Sequence, residues 1–258
     1  MIDSHAHLYF EEIYQDLAEK LRLMKLVGVD YVLTVCTDSK TMPTNISIAE
    51  SYDNVFCSVG IHPHHFKEGY DLDEILFLSK RKKVVAIGEV GLDYHYADET
   101  PKSDQIKLFR DMLSISEKTD LPYIFHAREC FKDILNILSE YNIGSAVFHC
   151  YTDSLENVKR VLDLGYYISF SGVVTFKNSV DLREIVKYVP ENRFLIETDC
   201  PYLAPIPYRG HTNEPAFVSL VAECIANLRG ISVDAVSDLT TKNFFELFKK
   251  AKLFIEEN

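Results

Sequence analysis

The chain has 258 residues, of which 47% are hydrophobic and 26% charged, and a formal net charge of −12. That is an ordinary globular balance with room for a sizeable core, and no apolar run is long enough to span a bilayer. The acidic balance excludes nucleic-acid binding through a broad basic face, because phosphate affinity is mainly electrostatic, so any nucleic-acid substrate must be gripped locally.

In chain order, eight short apolar runs read as strands: IDSHAHL, DYVLTVC, NVFCSVG, KVVAIGEV, LPYIFHA, GSAVFHC, GYYISFSG and NRFLIETD. The stretches between them carry apolar residues at helical spacing, such as Ile106, Phe109, Met112 and Leu113 after Pro101, or Ile134, Leu135 and Leu138 after HARE. Strands alternating with helices read as βαβ units. Eight of them in this length predict an α/β fold, a closed (β/α)8 TIM barrel, in preference to a doubly wound sheet, since no glycine-rich phosphate turn follows the first strand. The tail from Pro215 onward reads as two helices packed outside the barrel. No linker, repeat or low-complexity segment divides residues 1–258, so a single domain is expected. The opening residues lack the basic and apolar regions of a secretory signal. Six cysteines (Cys36, Cys57, Cys130, Cys150, Cys200, Cys224) form no CxxC pair and suit reduced core thiols. A cytoplasmic monomer with no membrane contact is expected.

The chemistry begins in MIDSHAHLYF. In a strand, Asp3, His5 and His7 fall on one face, so three polar side chains are expected to converge. Further on, Glu89 ends KVVAIGE, His126 ends LPYIFH, His149 ends AVFH and Asp199 ends FLIETD. In a (β/α)8 barrel the carboxyl ends of the strands line the active site. Any one of these residues has an ordinary structural reading, as a hydrogen bond to a loop or a helix cap. Four imidazoles and two carboxylates that all follow β runs do not arise from independent caps. Imidazoles and carboxylates without thiolate suit zinc, manganese, iron or magnesium, and six ligands suffice for two ions that share a bridging carboxylate. Such a pair activates water, so hydrolysis is the implied reaction, with Asp199 placed to accept the proton.

Seven segments, IDSHAHL, GIHPHH, GEVGLDYH, FHAREC, FHCYTDS, ETDCPYLAP and YRGHTNEP, span nearly the whole chain. In order and spacing they resemble the TatD-type metal-dependent deoxyribonucleases of the amidohydrolase superfamily. The resemblance implies a barrel that hydrolyses phosphodiester bonds of DNA, commonly as a 3′-to-5′ exonuclease on single strands, with a centre of two divalent ions (zinc, magnesium or manganese). Carried over by position, His5, His7 and Asp199 look like ligands of one ion, Glu89 like the bridge, and His126 and His149 like ligands of the second. Glu89 and Asp199 then take the catalytic roles. His62, His64, Arg128, Tyr151, Arg209 and Asn213 become candidates for contacting the substrate. The chain departs from the family pattern at Cys200, where Ser is common, and in FHCYTDS, where FHCFSGS is usual; neither change touches a ligand.

Rival readings remain within reach of the same residues. His62, His64 and His65 could shape a His-Pro turn, Arg209 could pair with Glu214, and Cys200 reads as packing because no free histidine is left to form a dyad with it. A barrel amidohydrolase or phosphotriesterase acting on a small molecule shares the His-X-His and the strand-eight Asp. Many of these bridge their metals with a modified lysine at the end of strand four, where this chain has Glu89. A metal-binding scaffold without turnover would be expected to lack a ligand. Cleavage of another ester at a nucleic-acid end uses the same activated water and stays open.

Overall fold

The computed structural model describes residues 1–257. Eight parallel strands, β1 (Ile2–Ala6), β2 (Tyr31–Thr34), β3 (Val55–Val59), β4 (Val84–Asp93), β5 (Tyr123–Arg128), β6 (Ala146–Phe148), β7 (Tyr167–Phe170) and β8 (Phe194–Ile196), pair in sequence order. Helices follow the successive strands, as parallel neighbours require a crossover. Examples are Met42–Ser51 after β2, Lys102–Ser114 after β4 and Leu155–Asp163 after β6. The last of these begins at Ser154, whose Oγ accepts from the Asn157 amide at 3.2 Å and satisfies one of the free amides of the first turn. The result is a nearly closed TIM barrel.

The β8–β1 seam is joined by bonds that also fix the site. The Asp199 amide donates to the His5 carbonyl at 2.9 Å and the His7 amide to the Cys200 carbonyl at 2.8 Å. Asp3 accepts from the Thr198 amide at 2.9 Å and from its hydroxyl at 2.6 Å. The residues that close the barrel therefore stand beside those that line its mouth.

Every strand contributes to a separate buried cluster, through Ile2, Leu33, Phe56, Val85 with Ala86, Ile124, Val147, Tyr167 and Leu195, which Phe244, Leu247, Phe248 and Ala251 complete. This corrects the expectation for the tail. Helix Val218–Arg229 packs with the outer apolar layer as expected, and Val236 of Val233–Leu247 joins it there, but Phe244 and Leu247 of that helix, with Phe248 and with Ala251 of a third helix, Lys249–Glu257, lie against the inner residues of the strands. Apolar spacing is the same for a helix on the outside as for one across the end of a barrel. In the last helix Ala251 is the fully buried residue, too weak a stripe to announce itself. Among the described residues no single helix is long and apolar enough to cross a membrane.

Close backbone approach positions the centre of the mouth. A Cβ on Gly60 would lie 2.7 Å from the carbonyl carbon of Gly88, and one on Gly88 would lie 2.6 Å from Cβ of Ile124. Gly91 has φ of +152°, and a side chain there would overlap the His126 carbonyl. β3, β4 and β5 thus press together around Glu89.

Candidate metal centre

In β1 the simple alternation fails. Ile2 belongs to the inner cluster whereas Ala6 and Leu8 belong to the outer one, and the β1–β2 register shifts between Asp3 and Ala6. His5 and His7 consequently turn into the mouth while Asp3 does not. Its carboxylate lies in the seam against Thr198, where burial pushes its pKa up to about 8. Two of the three polar side chains converge.

Glu89 is the centre of the arrangement. Its Oε2 lies 3.4 Å from His5 Nε2 and 3.9 Å from His7 Nε2, and its Oε1 lies 2.8 Å from both His126 Nδ1 and His149 Nε2. Asp199 Oδ1 is 3.3 Å from His7 Nε2 and 3.6 Å from His5 Nε2. The structure therefore brings all six proposed ligands together. Asp199 reaches the group through a left-handed backbone, φ 59°, just past β8. Four compact donor groups result, each with donor atoms within 4.8 Å of one another: the proposed ligands supply two, His5 with His7 and Asp199, and Glu89 with His126 and His149, and neighbouring residues add His62 with Asp93 and His126, and His5 with His149 and Glu197.

The outer nitrogens of three of these imidazoles are also held. His126 Nε2 faces Asp93 Oδ2 at 3.0 Å, His149 Nδ1 faces Glu197 Oε1 at 3.3 Å, and His7 Nδ1 lies 2.9 Å from the Val35 carbonyl. Glu197 Oε1 also accepts from the Cys150 amide at 2.7 Å. Asp93 is set by Gln105, whose Oε1 accepts from the Asp93 amide at 2.7 Å and whose Nε2 donates to its carbonyl at 2.8 Å. Partners of this kind fix ring orientation and raise ligand basicity. Sequence reasoning passes over Asp93 and Glu197, although both stand inside GEVGLD and ETD; their signal is a second carboxylate beside each strand-end ligand.

The cluster is electrostatically short of positive charge. Glu89, Asp93, Glu197 and Asp199 are buried or nearly so, and their ion-pair partners among the described residues are all histidines. Burial would raise the Glu89 carboxyl, but His149, His62 and His126 hold it well below the usual range. Burial would depress His149, but Glu89 and Glu197 outweigh it and hold the ring well above its ordinary value. At His5 burial wins, seconded by His149, and the pKa falls. Both ring nitrogens of His5 are buried without a hydrogen-bond partner, an arrangement that costs free energy unless something else accepts the lone pair. Excess carboxylate, imidazoles facing one oxygen and an orphaned imidazole together fit divalent cations.

The six proposed substrate residues divide. His62, 8% exposed, points Nε2 at Glu89 Oε1 at 3.6 Å, while its Nδ1 accepts the His64 amide at 3.3 Å. His64 Nε2 lies 3.2 Å from Asp93 Oδ2. Arg128 is exposed at the end of β5, its guanidinium 5.5 Å from the Tyr96 ring. Arg209 lies exposed in the loop after β8 and covers the Phe176 ring at 3.8 Å, whereas Glu214 pairs with Lys20 at 3.1 Å. Tyr151 and Asn213 do not reach the mouth. Tyr151 is buried against Phe131 and donates its hydroxyl to the Ser154 carbonyl at 2.7 Å, because its ring completes the packing behind β6. Asn213 is fully buried and donates to the carbonyls of Thr198 at 2.8 Å and Tyr202 at 2.6 Å, which makes it a staple of the loop that carries Asp199.

The chain is similar to known proteins along nearly its whole length. A family model described as TatD related DNase matches residues 2–249. The chain is 40% identical over 256 residues to the Escherichia coli (strain K12) protein named uncharacterized metal-dependent hydrolase YcfH, covering 96% of this chain and 95% of that one. It is 29% identical over 258 residues to the 3′-5′ ssDNA/RNA exonuclease TatD of Salmonella typhimurium, covering 96% and 99% of the two chains. Among solved structures, that of YJJV, a TatD homologue from Escherichia coli K12, superposes with a TM-score of 0.90 at 26% identity, covering 96% of this chain and 98% of that one.

Proposed function

The chain belongs to the TatD related DNase family, and from that premise we propose that this metal-dependent hydrolase cleaves phosphodiester bonds of DNA, working from the 3′ ends of single strands. The observation that carries the reading is Glu89, whose two oxygens face two separate sets of imidazoles, an arrangement that would let one carboxylate serve two divalent ions. The exonuclease relative supports the substrate and the polarity.

His5, His7 and Asp199 would hold one ion and His126 and His149 the other, with Glu89 between. Two such ions, zinc, magnesium or manganese, would polarise a phosphoryl oxygen and would make water more acidic near neutral pH. Asp199 has 14% of its side chain exposed against 3% for Glu89, so it is the cluster carboxylate that a water from the mouth meets first, and it accepts that water's proton. Asp93 and Glu197 keep the second pair of imidazoles turned towards Glu89. Arg128 and Arg209 grip phosphates locally, which an acidic surface otherwise repels. The six ligands come from one chain, in keeping with a monomer, and six free thiols suit the reducing cytoplasm.

The test is metal analysis combined with turnover on single-stranded DNA, duplex DNA, RNA and a phosphotriester, for wild type and Glu89→Ala. The expected result is about two divalent ions per chain and 3′ trimming of single strands, both lost in Glu89→Ala. A protein that binds no divalent ion, or a Glu89→Ala variant that degrades DNA at the wild-type rate, overturns the reading.

A further inference from the structure

The mouth carries aromatic surface that the hydrolytic cluster leaves unused. Tyr202, in the loop after β8, is 51% exposed, with its ring 5.6 Å from Phe10 and 6.5 Å from His7. Tyr96, just beyond β4, is 37% exposed, with its ring 4.7 Å from His64 and the Arg128 guanidinium 5.5 Å away over it. A line of contacts joins the two. It passes from His7 to Asp199 (3.3 Å), Asp199 to His5 (3.6 Å), His5 to Glu89 (3.4 Å), Glu89 to His126 (2.8 Å), His126 to Asp93 (3.0 Å) and Asp93 to His64 (3.2 Å). One exposed ring stands at each end of this line, Tyr202 beside His7 and Tyr96 beside His64.

Core packing does not account for either ring, since a half-exposed aromatic forgoes much of the free energy of burial. Tyr202 is nonetheless held firmly. Its amide donates to the Asp199 carbonyl at 3.0 Å and its own carbonyl accepts from Asn213 at 2.6 Å. Its main chain is thus tied beside a proposed ligand while its ring, against Phe10 and His7, keeps part of its surface free, an arrangement that suits a planar partner.

Resting on the nuclease reading above, we infer that Tyr202, backed by Phe10, and Tyr96, backed by Arg128, are stacking platforms for the unpaired bases on either side of the phosphodiester that is cut. A phosphate resting at the cluster presents one nucleoside towards each end of the line of contacts. Every base has a π-face, so such platforms bind without sequence preference. Bases in a duplex are already stacked and paired and must be extruded to reach either ring, so the platforms select single strands. They also give a protein of net charge −12 a grip on a polyanion that does not depend on a basic surface.

The experiment compares wild type, Tyr202→Ala, Tyr202→Phe and Tyr96→Ala on an oligothymidylate and on the same strand with its two 3′-terminal residues abasic. On the intact strand each alanine variant is expected to raise KM about tenfold, the scale of one base–aromatic stack, with kcat within about twofold of wild type. Tyr202→Phe keeps the wild-type KM, because the ring and not the hydroxyl stacks. On the abasic strand wild type shows a raised KM and the alanine variants add little to it. An unchanged KM in both alanine variants on the intact strand, or equal losses on both strands, overturns the platforms while the nuclease reading stands. A wild type that cuts neither strand sinks both.

Discussion

His126 Nε2 and Asp93 Oδ2 stand 3.0 Å apart, while Nδ1 of the same ring faces Glu89. The contact fixes which nitrogen of His126 is free to bind a cation, and Gln105 fixes Asp93 in turn. Removing such a partner typically costs 10- to 100-fold in metal affinity. Asp93→Ala is therefore expected to weaken divalent-ion binding by roughly that factor, and Asp93→Asn by less, since an amide oxygen can still accept. Chelator competition measures both, and an unchanged affinity in Asp93→Ala would show that the contact does not support the site.

Metal affinity should depend on pH through His149. Glu89 and Glu197 overcome burial and hold this imidazole well above its ordinary pKa of 6.5, so the metal-free protein keeps a proton that an ion must displace. Apparent affinity is expected to fall as the pH is lowered and to go on rising above pH 6.5 as that proton is lost. Calorimetry at neutral pH in buffers of different ionisation enthalpy should register proton release on binding. Proton uptake would contradict the assignment.

Asn213→Ala removes both donors that hold the loop after β8 and leaves the carbonyls of Thr198 and Tyr202 short of partners. Each buried group so stranded costs about 1–3 kcal/mol, which denaturant unfolding can read. Because Asp199 and Tyr202 ride on this loop, turnover is expected to fall as well. A variant of full stability that is defective only in KM would favour a direct substrate contact for Asn213 instead.

At the opposite end of the barrel, Phe244 is fully buried in the cluster that closes the base. Phe244→Ala is expected to cost about 3–5 kcal/mol, with a fall in Tm on the order of 10 °C. Metal content should stay at the wild-type level, because the cavity opens on the face remote from Glu89. Thermal unfolding and metal analysis on the same preparation test the two halves of this expectation.

Much of the fold and of the site can be read from the sequence, because a parallel barrel turns a position along the chain into a position in space. A polar residue that ends an apolar run must come to the mouth, and His5, His7, Glu89, His126, His149 and Asp199 all do. Asp93 and Glu197 occupy similar places, yet a carboxylate that orients an imidazole is recognised only when the facing ring nitrogen is known.

The alternation of strands and helices and the chemistry of the donors are legible along the chain because both are properties of local order and residue type. That Asp3 closes a seam, that Tyr151 and Asn213 turn away from the mouth, and that the last part of the tail, from Phe244 to Ala251, covers the base of the barrel follows from the packing alone. These depend on register and on which surfaces are left to be buried after the barrel has closed. Such long-range packing carries no periodic mark in the chain.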